Sequence, residues 1–360
     1  MTQFLLIAAF TLSITGESGI LYAQDLTHRS VLPDTPVSSL FRIYEDDDFI
    51  NIRGKGTDDA YTNGTRIDYF YMPRKRPDWF ADNVIPRAGD SSVDVYGWGL
   101  MQLMYTPDDL TSAAYQPNDY PWSGALIATH TVYSYNPTRK YDFQTELVMG
   151  VLGPAALTQE TQTLVHSLIH YIRPMGWSHQ FRDYPMLNVN FTAEKQLAAE
   201  GSFVEVIAGG QAQAGTMQNS LTLYPLIRIG KMNPYFQGFF SQFAGSGSHG
   251  PHRKKWQAYF VIKPEMQIIL TEALLQGGPF TTNPNLKETS SSEKSPSPDT
   301  PPQPPQPYHP IENFVWCTNF GAVVTSGDFS ISFNQNSSSA MMKGLYSHEV
   351  GNISLYFGWR

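Results

Sequence analysis

Charged residues are scarce in this chain: they make up 16% of its 360 positions, against about 25% in an ordinary soluble domain. A single cysteine, Cys317, excludes an internal disulfide bond and any zinc cluster built on cysteine. The net charge of −8 provides no basic surface for a nucleic acid, so we expect no such partner. No stretch beyond the N-terminus approaches the ~18–20 consecutive apolar residues of a membrane-spanning helix. What the chain does contain, 13% aromatic residues and 28 glycines, favours a β-rich protein.

The N-terminus predicts export. Residues 4–14 form an apolar run of signal-peptide length, and Leu21-Tyr22-Ala23 offers a cleavage site, although no Lys or Arg precedes the run. We therefore predict a signal peptide over residues 1–23 and an N-terminal lead over residues 24–38. The alternative is a buried N-terminal segment. An exported chain without a membrane-spanning helix is periplasmic, secreted or an outer-membrane barrel.

Apolar and polar residues alternate with a period of two in twelve segments, which is the pattern of β-strands. The last segment is the clearest, with Ile353, Leu355 and Phe357 on one face and Asn352 and Ser354 on the other. The predicted strands lie near residues 39–46, 65–71, 93–106, 121–135, 140–152, 187–192, 203–214, 219–230, 256–270, 312–324, 328–333 and 351–360.

The polar faces of these segments distinguish two kinds of β-protein. They carry Asn, Ser, Thr, Gln, Asp and Arg, which suits a wet lumen better than the Lys- and Glu-rich surface of a soluble sandwich or barrel. We therefore predict an all-β fold over residues 39–360, a transmembrane antiparallel β-barrel of about 12 strands in the outer membrane. A soluble secreted β-protein is the alternative.

Two segments interrupt the alternation. Residues 156–172 predict one short helix, with an apolar stripe along one side and a polar side that carries two histidines. The stripe consists of Leu164, Val165, Leu168, Ile169 and Ile172, and the polar side of Gln162, His166, His170 and Arg173. Residues 277–311 hold ten of the 26 prolines and predict a disordered inserted loop. With strand 1 running outward, both segments fall at the outer rim, whereas the basic clusters at 74–76 and 253–255 fall on periplasmic turns.

Two groups of residues suggest chemistry. The run Glu45-Asp46-Asp47-Asp48 places four acids in a row, which favours either a hard-cation site, with calcium preferred, or a solvated acidic loop. His166 and His170 have the spacing of a zinc-binding pair, but the glutamate of the zinc metalloprotease motif does not follow the first histidine. His166 could instead be a general base near the acidic run, or simply a packed or solvated histidine. Because a Gly-x-Ser-x-Gly elbow is absent, an acyl-enzyme serine hydrolase has little support.

Several motifs follow one another in a characteristic order. The most specific is the block from Gly153-Pro154 through His166 to Pro174-Met175-Gly176-Trp177. The others are Tyr61-Thr62-Asn63-Gly64, Met104-Tyr105-Thr106-Pro107-Asp108-Asp109, Asn118-Asp119-Tyr120-Pro121-Trp122-Ser123-Gly124, Leu275-Gln276-Gly277 and Gly351-Asn352-Ile353-Ser354-Leu355. In this order they resemble the outer-membrane lipid A 3′-O-deacylase family, LpxR. The resemblance covers residue 40 to the C-terminus except 278–310.

The resemblance implies a twelve-stranded monomeric barrel with its active site near the outer rim. There a calcium-dependent esterase would remove the 3′-linked acyloxyacyl group of lipid A, the membrane anchor of lipopolysaccharide. By this likeness His166 matches the family's base, Asp46 and Asp47 match an Asn-Asp pair beside the metal, and Thr62 matches a further site residue.

Three departures from the family pattern accompany these matches. Asp46 replaces Asn, Ile172 stands where the best-known members have an acid six residues after the catalytic histidine, and Ser112 and Ala113 replace a basic pair. A passive outer-membrane barrel, either a pore or a structural protein that has lost activity, is therefore the competing hypothesis.

Overall fold

Twelve antiparallel strands close into a barrel in the computed structural model, which describes residues 39–52, 60–73, 75, 77–237, 254–278 and 309–359. The strands are β1 Ser39–Asp47, β2 Ala60–Tyr71, β3 Val93–Thr106, β4 Ser123–Asn136, β5 Tyr141–Leu152, β6 Tyr184–Glu200, β7 Val204–Gly215, β8 Gln218–Lys231, β9 Trp256–Glu272, β10 Phe314–Ser326, β11 Phe329–Ser338 and β12 His348–Trp359. All twelve predicted strands are confirmed. The predicted signal peptide and N-terminal lead lie outside the described residues.

Every strand pairs with its sequence neighbours, and β1 closes the sheet against β12, from Ser39 opposite Trp359 to Asp47 opposite Gly351. Strand β1 therefore begins, and β12 ends, at the same end of the barrel. In an outer-membrane barrel this end is the periplasmic one. The opposite end, where β1 finishes at Asp47, is called the outer rim below.

The alternation along each strand separates a lipid-facing wall from the lumen. Large apolar and aromatic side chains such as Trp98, Phe260 and Trp316 point outward and are exposed. Inward positions carry paired charges: the Arg42 guanidinium lies 2.6 Å from the Asp68 carboxylate, and other ion pairs extend this network. An apolar outer band around a polar interior is the pattern of a membrane barrel.

The lumen is filled near the periplasmic end. Tyr235 and Phe236, in the connection between β8 and β9, are buried there against inward side chains of the surrounding strands. The partners include Leu40, Phe70, Tyr133, Tyr224, Val261 and Tyr356. Close-packed aromatic side chains leave little room for a water-filled channel at this level.

Short helices occupy the connections. The α-helices are α1 Phe80–Val84, α2 Thr158–Ile169 and α3 Ala273–Gln276, and 3₁₀ turns lie at Asp48–Ile50, Pro154–Ala156, Trp177–His179 and Tyr235–Gln237. In the described parts of the chain, no helix is long and apolar enough to cross a membrane.

The predicted loop at 277–311 lies outside the described residues over 279–308. Its ends are ordered, which the sequence did not predict: Ile311 is buried and forms a bridge with Met342.

Candidate active site

Helix α2 lies on the outside of the barrel at the outer rim, against β3 and β4. A cluster of buried side chains, Met104, Leu110, Trp122 and Trp177, packs on the wall, and Trp177 of this cluster is hydrogen-bonded to α2. Met104 belongs to the same outward face of β3 as the exposed Trp98. The first turn of the helix approaches β4 closely, because a Cβ atom on Gly124 would overlap the Thr158 hydroxyl group.

The polar side of α2 packs against the protein, and its apolar stripe is exposed. Leu164 and Leu168 of the stripe are 61% and 69% exposed, whereas Gln162 and His166 of the polar side are buried. The physical reason is the position of the helix: its polar side packs on the barrel rim, and its apolar side faces the surroundings of a membrane protein. The helix is also shorter than predicted, since it ends at Ile169 rather than at residue 172.

His166 is held in a defined orientation. Its side chain is only 5% exposed, and its Nδ1 atom lies 2.5 Å from the carbonyl oxygen of Ile172. A carbonyl oxygen can only accept, so Nδ1 carries the proton and Nε2 carries the basic lone pair. Ile172 is the position where the family resemblance has an acid. The main chain therefore supplies at this position the acceptor that its side chain lacks.

A second contact fixes the helix face that carries His166. The Trp177 indole Nε1 donates to Gln162 Oε1 at 2.7 Å, one turn before the histidine. Trp177 itself is buried, and its ring packs edge-on against Trp122 with the centroids 5.0 Å apart. The Pro-x-Gly-Trp motif therefore serves to position α2.

His170 has a different environment from His166. It is exposed and ends α2 in a left-handed conformation, with φ of 58°. The two rings thus do not share the buried face of the helix. Over the described ranges, no group of three or more His, Cys, Asp or Glu side chains is gathered closely enough to hold a metal ion.

Asp46 and Asp47 point to opposite faces of β1, because successive side chains in a strand alternate. The Asp46 carboxylate lies in the lumen, where it accepts hydrogen bonds from Tyr44 at 2.5 Å, Tyr61 at 3.1 Å and Asn352 at 3.0 Å. Asp47 pairs with Asn63 of β2 on the outer side. The structure therefore does not bring the two predicted carboxylates together.

Three oxygen atoms converge on the Asn63 side chain at the outer face. Its Nδ2 atom lies 2.6 Å from Glu45 Oε1, 3.0 Å from the Asp46 carbonyl oxygen and 3.4 Å from Asp47 Oδ2. Two carboxylates, a main-chain carbonyl and an amide that can turn its own oxygen inward form an all-oxygen set. Such a set fits calcium, which prefers carboxylate and carbonyl oxygens, better than zinc.

The remainder of the acidic run is folded rather than a solvated loop. Asp47 caps the 3₁₀ turn Asp48–Ile50 by accepting from the Phe49 backbone at 2.7 Å. The turn folds back over β12, where a Cβ atom on Gly351 would lie 2.6 Å from the Ile50 backbone. The Ile52 amide then donates to Gln335 of β11 at 2.8 Å. We call residues 48–52 the strap, since it fixes the end of β1 against the outer wall.

Thr62 occupies a β-bulge between Tyr61 and Asn63, where β2 has one residue more than β3. Its hydroxyl is buried and lies 2.7 Å from the hydroxyl of Thr106, at the outward end of β3. The bulge turns Thr62 toward the side of the barrel that carries α2. Asp47, Thr62 and the helix with His166 thus lie on the outer side of β1 to β4, and their assigned roles stay predictions.

Comparison with known proteins decides the family. The model of the family described as outer membrane protein LpxR matches residues 5–359. This chain belongs to the LpxR family. The fold agrees: LpxR from Salmonella typhimurium superposes with a TM-score of 0.66 at 16% identity, over 89% of this chain and 99% of that one. This LpxR-family protein is an outer-membrane β-barrel.

Other barrels are less similar. The β domain of the Bordetella autotransporter BrkA gives a TM-score of 0.37 at 7% identity, over 90% of this chain and 99% of that one. No curated protein sequence matches this chain.

Three side chains of this LpxR-family site were not predicted from sequence. They are Asn63, Gln162 and Trp177. Asn63 lies in the Tyr-Thr-Asn-Gly motif, and Trp177 lies in the Pro-x-Gly-Trp motif, so both were visible as motif members without a role. The sequence gives no sign that β1 and β2 pair in the register that joins Glu45 to Asn63.

Proposed function

We propose that this protein is a monomeric, calcium-dependent esterase that hydrolyses the 3′-linked acyloxyacyl group of lipid A in the outer leaflet. The observation that carries the proposal is the orientation of His166: it is buried on the outer side of the barrel, with Nδ1 donating to Ile172. Family membership supports the substrate class. A site on the outer wall suits a lipid, because its acyl chains need not leave the membrane.

The apolar surroundings of the site also support a lipid substrate. The exposed stripe of α2 borders it on one side. On the other side, a groove of about 670 Å³ begins at Ile52 of the strap and runs over Phe260, Phe320 and Phe333 of the outer wall. Both features place apolar surface beside the cluster around Asp47.

The proposed reaction is an addition of water to the ester carbonyl. His166 Nε2 takes a proton from water, whose oxygen bonds to the acyl carbon, while Nδ1 stays bonded to the Ile172 carbonyl oxygen. The bond from the acyl carbon to the sugar 3′-oxygen then breaks, and the histidine returns the proton to that oxygen. Calcium held by Glu45, Asp47 and Asn63 would polarise the ester carbonyl as a Lewis acid.

The passive barrel is the second candidate function, and two observations weigh against it. Packed aromatic side chains fill the periplasmic part of the lumen, so the described structure offers no open pore there. The Ile172 carbonyl supplies the acceptor whose absence suggested a loss of activity. Conductance in planar bilayers without any release of fatty acid would favour the passive barrel.

The test uses refolded protein and purified lipid A after chelation of metals. We expect calcium to restore acyl release and zinc not to restore it, and we expect His166→Ala to lose nearly all turnover. His170→Ala is the matched control, because its ring is exposed and outside the site, and it should retain most activity. Restoration by zinc alone, or equal loss in both variants, would contradict the proposal.

A further inference from the structure

An ionisable pair lies on the lipid-facing wall far from the candidate active site. His130 of β4 points outward, like Ala128 and Val132, and its Nε2 lies 2.9 Å from the Asp82 carboxylate of α1. The two side chains are 4% and 2% exposed. Ionisable groups on the outer wall of a membrane barrel are costly and therefore usually functional.

The segment that carries Asp82 folds back from the periplasmic end over the outer wall. The Trp79 ring packs edge-on against the His130 ring at 4.8 Å, and the Trp98 ring lies 4.4 Å from it. Phe80 and Val84 on the other side of α1 are 75% and 66% exposed. A short segment with aromatic residues and an outward apolar face is typical of an element at the membrane interface, here that of the periplasmic leaflet.

A groove of about 640 Å³ extends along the wall from this pair. It begins beneath Trp79 and His130 and runs over Ala128, Met149 and Leu187. Its volume is within the ~300–1,000 Å³ typical of small-molecule sites. Most of the residues that line it are apolar, and the polar ones are Thr129, His130, Asn188 and Thr216.

The second ring nitrogen of His130, Nδ1, is available to bind a ligand. Within the described residues, Nδ1 is buried and has no hydrogen-bond partner. Buried polar atoms are nearly always bonded, so an unbonded one at the end of a groove indicates a group that the protein itself does not supply. With Asp82 facing Nε2, a protonated ring would donate from Nδ1 to an anionic oxygen.

We propose that this groove binds one glycerophospholipid of the periplasmic leaflet. One acyl chain lies along the groove over Ala128 and Met149, and a phosphate oxygen accepts a hydrogen bond from His130 Nδ1. Lys75 is exposed and lies shortly before α1 in the same periplasmic connection. The site is separate from the proposed esterase, which lies around Asp47, Thr62 and His166.

The experiment measures bound phospholipid on the full-length, detergent-purified barrel by native mass spectrometry. Phosphatidylethanolamine, phosphatidylglycerol and diacylglycerol are titrated separately into delipidated protein. Ala128→Trp should fill the groove and weaken binding of the first phospholipid by at least about tenfold, which corresponds to about 1.4 kcal/mol. Ala258→Trp is the matched control, because Ala258 is an exposed outward alanine of β9 outside the groove.

Each outcome has a stated meaning. One tightly retained phospholipid in the wild type and in Ala258→Trp, with its loss in Ala128→Trp, supports the site. Equal retention in both variants would overturn it. Binding of diacylglycerol as tight as that of the two phospholipids would also overturn it, because the phosphate would then contribute nothing. His130→Phe should lose the preference for phospholipid over diacylglycerol, and heat-modifiable gel mobility confirms that each variant has formed the barrel.

Discussion

Two substitutions, Asp47→Asn and Asp46→Asn, test separately the side chain that β1 presents to the outer face and the one that it presents to the lumen. In Asp47→Asn the cap of the 3₁₀ turn persists, because asparagine caps as well as aspartate does. The variant removes only the carboxylate charge beside Asn63 and Glu45. Losing stabilisation of the developing oxyanion costs about 10²–10³ in rate, or roughly 3–4 kcal/mol. We therefore expect Asp47→Asn to fold normally and its rate of acyl release to fall by at least about a hundredfold.

Asp46→Asn provides the comparison. Its side chain faces the lumen and Tyr44, so the site receives only its main-chain carbonyl, which the substitution leaves in place. Asparagine is also the residue that the family resemblance has at this position. We expect activity within about fivefold of wild type, or about 1 kcal/mol.

The assay is initial-rate release of the acyl group from lipid A across a calcium titration, with terbium luminescence as an independent measure of cation binding. Asp47→Asn should lose both signals, and Asp46→Asn should keep both. The reverse result, with Asp46→Asn inactive and Asp47→Asn active, would refute the assignment of the cation site to the outer face.

Three further predictions concern the surroundings of the site. Trp177→Phe removes the hydrogen bond to Gln162, worth about 0.5–1.5 kcal/mol, so kcat should fall by roughly three- to tenfold with the thermal stability of the barrel unchanged; an unchanged kcat would show that this contact does not position His166. Leu168→Asp places a charge on the exposed stripe of α2, so activity on lipid A in bilayers should fall while activity on a detergent-dispersed short-chain ester persists; equal loss on both substrates would contradict the membrane-facing role. Deletion of residues 279–308 should leave heat-modifiable mobility intact, because a proline-rich polar segment buries little apolar surface; failure to assemble would show that the segment belongs to the barrel.

The strands were predictable because a barrel wall between lipid and lumen imposes the period of two on every strand. The packing of α2 could not be predicted from its apolar stripe, since the rule that such a stripe packs inward assumes water as the solvent. Here the exposed stripe around Leu168 belongs to a membrane protein, and the polar side with His166 packs on the barrel. The family resemblance selected His166, and the structure gives a physical reason for distinguishing it from His170.

Two features of the site could not be predicted from the sequence, each for a different physical reason. The convergence of Glu45, Asp47 and Asn63 depends on the register between β1 and β2, which is a long-range property of the sheet. The acceptor for His166 is the backbone of Ile172, and a main-chain carbonyl leaves no trace in residue identity. Ile172 stands where the family pattern has an acid, and this suggested a loss of function. The structure does not require such a loss, because the Ile172 carbonyl oxygen serves as the acceptor for His166.

The most direct test of the central claim is the mass of lipid A from outer membranes that contain the wild-type protein or His166→Ala, with calcium present. The account predicts that the wild type removes the 3′-linked acyloxyacyl group, so that lipid A loses the mass of that group. It predicts intact lipid A with His166→Ala, although that barrel folds and inserts normally. Unchanged lipid A with the wild-type protein, or deacylated lipid A with His166→Ala, would contradict the account.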